Sequence, residues 1–72
     1  MRIKSKSRNH FWGYHKGAEI NIERERQSDP FYIIVTAADG GYLYDGWAPR
    51  EITTMKEAKR EALRGSCLDR NL

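Results

Sequence analysis

The chain has one cysteine, two prolines and no apolar run near the ~20 residues a membrane-spanning helix needs. Cys67 alone closes no intramolecular disulfide. This excludes a disulfide-stapled secreted scaffold and fits a reducing, cytoplasmic compartment. The start, MRIKSKSRN, is basic with no apolar stretch behind it, so it does not read as a secretory signal. No internal repeat is visible. Seventy-two residues leave room for one domain with a thin core.

Patterns that carry chemistry are as scarce. His10, His15 and Cys67 are the metal-ligating types present, and they lack the C-x-x-C or H-x₃-H spacing of a zinc site. Nothing in the sequence supplies a base to activate Cys67 as a nucleophile. Gly40-Gly41 has no helix start behind it, so it is a turn and not a phosphate cradle. Asp39 and Asp45 read as a turn residue and an edge charge before they read as an acid/base pair. The expectation is a protein that is not an enzyme and has no metal and no cofactor.

Positive charge is missing from the middle of the chain. The net charge is +3, but residues 30–49 hold Asp39 and Asp45 and no Lys or Arg, a local charge of −2. Residues 17–29 set Glu19, Glu23, Glu25 and Asp29 against Arg24 and Arg26, again −2. Residues 1–16 hold Arg2, Lys4, Lys6, Arg8 and Lys16 and no acid, giving +5. The remainder, 50–72, contributes +2. The excess of positive charge therefore sits at the front end, which reads as a flexible basic arm over residues 1–9.

Aromatic residues are what the chain has in quantity. Residues 31–47, FYIIVTAADGGYLYDGW, place two aromatic-rich runs around Asp39-Gly40, the strongest local signal for a β-hairpin. A two-residue loop there pairs Val35 with Tyr44. It puts Phe31, Ile33, Val35, Tyr42 and Tyr44 on one face and Tyr32, Ile34, Leu43 and Trp47 on the other. A three-residue loop with a bulge shifts the parity. Phe31, Ile33, Val35, Leu43 and Trp47 then share a face, opposite Tyr32, Ile34, Tyr42 and Tyr44. The second register is preferred because it separates apolar from Tyr-rich residues. Ahead of the hairpin, Ala18, Ile20 and Ile22 alternate with Glu19, Asn21 and Glu23, the pattern of a half-buried strand. Gln27-Ser28-Asp29-Pro30 is a turn. His10-Phe11-Trp12-Gly13-Tyr14-His15 is too apolar for a free tail; it either finishes the core or forms an interface.

Pro49 ends the last strand, and Ile52 turns under the sheet. Thr54-Met55-Lys56-Glu57 has the form of a capping box. The helix it opens is expected over 55–64, ending at Gly65 as a left-handed C-terminal residue. Met55, Ala58 and Ala62 with Leu63 at the edge make its apolar stripe. Lys56, Arg60 and Arg64 form a charged row. Cys67 and Leu68 are expected to close the bottom of the core. The expected fold is α+β: a three-stranded antiparallel β-meander followed by one C-terminal α-helix packed on one face, over residues 10–72, behind the basic N-terminal arm.

Three strands followed by a helix that opens with Thr54, Glu57 and Ala58 resembles the arm-binding N-terminal domains of tyrosine recombinases and the ethylene-response-type domains. Lys56-Glu57-Ala58-Lys59 is similar to the last helix of double-stranded-RNA-binding domains, whose first helix has no counterpart here. The resemblance implies DNA binding through the sheet. This hairpin departs from that pattern: a −2 ribbon without Lys or Arg is ill suited to a duplex with one negative charge per ~1.7 Å of axis. The chain also resembles the short accessory proteins of phages and mobile elements, which implies binding and blocking a host protein, as anti-CRISPR and other anti-defence inhibitors do. On this reading Tyr32, Tyr42, Tyr44 and Trp47, with Asp45, contact the partner protein. The alternative is a nucleic-acid binder with Arg2, Lys4, Lys6, Arg8, Lys56, Arg60 and Arg64 on phosphates and Trp12 or Tyr14 stacking on bases. Self-association through the sheet, as a homodimer, is the third possibility, and no membrane partner is expected.

Overall fold

The computed structural model describes residues 2–68; Met1 of the expected arm and residues 69–72 of the expected domain lie outside the described residues. The described residues form five strands and one helix: β1 (Arg2–Lys6), β2 (His10–His15), β3 (Ala18–Glu23), β4 (Tyr32–Thr36), β5 (Tyr42–Trp47) and α1 (Met55–Ser66). The strands form one antiparallel sheet in the order β1-β2-β3-β4-β5. This is the expected α+β meander with a C-terminal helix, but with five strands in place of three. The basic segment is not an arm outside the fold. It is an edge strand paired to β2 from Arg2↔Tyr14 to Lys6↔Phe11.

Two short turns account for the extra strands. Lys16 and Gly17 have φ of 52° and 82°, the paired left-handed geometry of a tight hairpin whose twist matches that of its strands. They set His15 opposite Ala18. Ser7 N–H donates to His10 O at 2.7 Å, closing β1 onto β2 around Arg8-Asn9. Every side chain of β1 is exposed. An outer strand with Lys at its free edge and a bulge between Ile3 and Ser5 resists pairing with a further strand.

The core lies between the sheet and α1. It comprises Phe11, Ala18, Ile20, Ile22, Phe31, Ile33, Val35, Ala48, Ala58 and Ala62. Register explains the membership: Phe11↔Ile22↔Ile33 and Gly13↔Ile20↔Val35 run straight across three strands on one face. Phe11 bends over Gly13, where a Cβ would stand 2.7 Å from Arg2 O and 3.0 Å from the Phe11 ring. Lys59 Nζ lies 5.2 Å from the centre of the same ring. Burial of large side chains such as Phe11, Phe31 and Ile33 contributes about 1.5–3 kcal/mol each.

The β4–β5 hairpin corrects the preferred register. Its loop is the expected three-residue one: Ala37 N–H bonds Gly41 O, Gly40 N–H bonds Ala37 O, and Gly40 has φ 94°. Thr36 accordingly pairs with Tyr42. A second irregularity then intervenes, because Val35 pairs with Tyr44 and Leu43 is left over. That extra residue restores the parity of the other register. Tyr44 turns to the helix side, and Trp47, opposite Tyr32, turns to the other side.

Helix α1 begins as the sequence implies. Thr54 Oγ1 accepts from Glu57 N–H at 3.2 Å, and Glu57 Oε1 accepts from Thr54 N–H at 3.3 Å, a complete capping box. The hydroxyl and amide bonds hold the Glu57 carboxyl below its usual range, the Thr54 side chain contributing most. The helix does not stop at Gly65. It runs to Ser66, and Cys67, with φ 64°, takes the left-handed position while its N–H reaches Arg64 O. Leu68 packs against the core, whereas Cys67 is exposed and does not help to close it.

Gly65 has a different task. A Cβ there would stand inside van der Waals contact of the Tyr44 ring. The absent side chain lets that ring lie against the helix, where Tyr44 Oη donates to Glu61 Oε2 at 2.8 Å and Arg64 pairs with the other carboxylate oxygen. Arg24 ties the loops at the opposite end. Its guanidinium sits 4.1 Å over Phe31 and donates to Asn9 Oδ1, Gln27 O, Thr53 O and Arg8 O.

In an open helix position Gly65→Ala would stabilise by about 1 kcal/mol. Here the clash with Tyr44 wins, and the substitution is expected to destabilise by about 1–3 kcal/mol in urea denaturation. In a Tyr44→Ala background the same substitution reverses sign, which a double-mutant cycle measures. Additive effects would refute the contact.

Candidate binding face

The strand pattern that gives the sheet one apolar side gives it a second side that no element of the described residues covers. α1 packs on β3, β4 and β5 from the core side. The register places three rows on the opposite side. Tyr14, Glu19, Thr36 and Tyr42 form the first, and Trp12, Asn21, Ile34 and Asp45 the second. His10, Glu23, Tyr32 and Trp47 form the third. Tyr42 and Trp47 are 68% and 64% exposed and Trp12 is 37% exposed, more than satisfied core aromatics would be.

Several of these side chains are held in place. Tyr32 and Trp47 meet edge to face, ring centres 4.8 Å apart and planes at 86°. Tyr32 Oη donates to Asp45 Oδ1 at 2.5 Å, and that bond pushes the phenol above its ordinary value. Trp12 Nε1–H donates to Glu19 Oε2 at 2.8 Å. Rings fixed in this way lose little freedom when they are covered, so the face is partly pre-organised for contact.

The expected contact set is therefore revised. Tyr32, Tyr42, Asp45 and Trp47 do share the open face. Tyr44 does not: the bulge at Leu43 turns it to the helix, where burial, then its bond to Glu61, pushes its phenol up to about 12. Trp12 and Tyr14, assigned from sequence to nucleic-acid stacking or to the core, stand on the same open face. The alternation HFWGYH carried that signal, and it became readable only with Lys16-Gly17 recognised as a hairpin loop. Phe11 alone of that segment's aromatics belongs to the core.

The basic candidates are divided. Arg2, Lys4, Lys6 and Arg8 are exposed along β1 and its turn, at one edge of the sheet. Lys56, Arg60 and Arg64 are exposed on α1, on the far side of the molecule from the open face. Strands β3, β4 and β5 contribute Glu19, Glu23 and Asp45 to the open face and no Lys or Arg. His10 and His15 stand at opposite ends of β2, and Cys67 caps α1. Among the described residues no group of three His, Cys, Asp or Glu side chains is placed to hold a metal ion. No helix of the described residues is long and apolar enough to cross a membrane.

Comparison of the chain with protein-family models, curated proteins and solved structures gives no match.

The two buttressed tyrosines give a titration signature. Tyr44 is raised from 10.0 to about 12, so its contribution to stability is full below pH 10 and is lost as pH rises toward 12. Tyrosinate absorbance should show a late component near pH 12 from Tyr44. Tyr44→Phe should remove that component and flatten the alkaline loss of stability. If the component lost in Tyr44→Phe instead titrates near the ordinary 10.0, the buried Tyr44–Glu61 bond is contradicted.

Proposed function

We propose that the chain is a non-catalytic protein-binding module that covers a surface of its partner with the open sheet face, in the manner of small inhibitor proteins that block a host factor. One observation carries the reading: the single helix is spent on one side of a five-stranded sheet, and Trp12, Tyr32, Tyr42 and Trp47 stand on the other. Tyr and Trp supply large, stiff contact areas and are over-represented where binding energy concentrates. The carboxylates among them favour a basic or mixed protein surface over a polyanion. The β1 cations act at the rim, steering encounter more than setting affinity.

The test is capture of the partner by the full chain from lysate with and without nuclease treatment, compared across variants. Tyr42→Ala and Trp47→Ala are each expected to weaken capture by about thirty-fold, the ~2 kcal/mol of a contact hot spot, with little change in melting temperature. Lys4→Glu with Lys6→Glu should slow association and leave the captured partner the same. Reversing charge is the apt comparison because deleting residues 1–9 would remove β1. Capture abolished by nuclease or by the lysine reversal, but indifferent to Tyr42 and Trp47, would replace this reading with nucleic-acid binding.

A further inference from the structure

At one end of the open face the sheet meets the β3–β4 loop, and there the surface is concave. Glu23, Glu25, Asp29, Pro30, Tyr32 and Trp47 border a cleft of about 680 Å³. Small-ligand sites span ~300–1,000 Å³, so the space is ample for one side chain of a partner. Glu23, Tyr32 and Trp47 are successive members of one row across three strands. The two rings stand at right angles and form an aromatic corner.

The cleft is acidic and its charge is largely unspent. Arg24 also borders it, but its guanidinium is committed to Phe31 and the loop oxygens on the core side. Asp29 has Arg26 at 3.8 Å, a loose pair with the arginine side chain 79% exposed. The side-chain carboxylates of Glu23 and Glu25 have no hydrogen-bond or ion-pair partner among the described residues. Carboxylates alone, wet and spread around a cleft, would hold a cation weakly. Carboxylates beside aromatic walls are different, because a ring face attracts a cation and the carboxylate fixes its direction.

Among cations the geometry favours a flat one. A guanidinium stacks on a ring and at the same time offers parallel N–H donors to a carboxylate, whereas an ammonium is a compact, strongly hydrated point charge. We propose that the Tyr32–Trp47 corner with Glu23 and Glu25 is a receptor for an arginine side chain of the partner protein, an inference that rests on the open face being a protein-binding surface. It names what the partner brings: an exposed arginine near the end of the surface that the sheet covers.

The test needs no partner. The isotope-labelled full chain is titrated with a blocked Gly-Arg-Gly peptide and with its citrulline and lysine counterparts, following amide and indole N–H resonances. The arginine peptide should shift the Trp47 indole and the residue 23–32 amides saturably, with Kd on the order of millimolar. The Trp12 indole should stay in place as an internal control. Citrulline, the same shape without charge, should give no saturable shift, and lysine should bind several-fold more weakly. Glu23→Gln with Glu25→Gln, which leaves the rings intact, should weaken the arginine peptide about tenfold or more and weaken partner capture as well. Equal response to citrulline, equal response to lysine, or indifference to the double Gln variant would overturn the arginine receptor. If the peptide fails while Tyr42→Ala still weakens capture, the corner is refuted and the binding face stands. If capture too ignores the face, both fall.

Discussion

One amphipathic helix has to serve a sheet with two sides, and it can cover only one of them. Everything else in the molecule follows from which side it takes. Ala58 and Ala62 let α1 sit close to the sheet over Ile20, Ile33 and Val35, and the small residue at Gly65 admits the Tyr44 ring beneath its last turn. The side facing away from α1 must then live in water with whatever the alternation of β2 to β5 gives it. A strand exposed to water would ordinarily carry Lys, Glu and Thr there. This sheet carries Trp12, Tyr14, Tyr32, Tyr42 and Trp47, with Glu19, Glu23 and Asp45 interspersed.

The acids on that side are positioned to work with the aromatic residues. Glu19 takes the indole N–H of Trp12, and Asp45 takes the phenol of Tyr32, which in turn buttresses Trp47. Such bonds between exposed side chains contribute little to stability in water. Their effect is on orientation, since each removes rotamers from a ring that would otherwise be free. The cost in stability of so much exposed aromatic area is met elsewhere, by the Phe11–Ile22–Ile33 row and by the Arg24 guanidinium that joins three loops over Phe31.

The parts of this architecture legible in the sequence are those with a local chemical cause. Strand β3 showed in its strict alternation, the β4–β5 turn in Asp39-Gly40, and the helix start in Thr54 and Glu57. The parts that were not legible lack such a cause. Strand β1 is an outer edge with no buried side, so no apolar alternation marks it, and Lys16-Gly17 is a weaker turn signal than Asn-Gly or Asp-Gly. The bulge at Leu43 leaves both Tyr42 and Leu43 exposed, so nothing in the pattern of apolar and polar residues announces it; yet it decides the side on which Tyr44 and Trp47 fall. Gly65 reads as a helix stop because glycine suits left-handed geometry. Its actual role, space for a ring from a distant strand, is a tertiary fact that no short window contains.

The central claim is that the aromatic side of the sheet is open in the free protein. Acrylamide quenching of single-tryptophan variants measures it directly, with Trp12 or Trp47 retained and the other replaced by Phe, over a range of protein concentrations. Both indoles should be readily quenched in the folded chain at every concentration, Trp47 more so than Trp12. Protection of both indoles in the folded monomer would mean that the chain covers this side itself, and the account would be wrong.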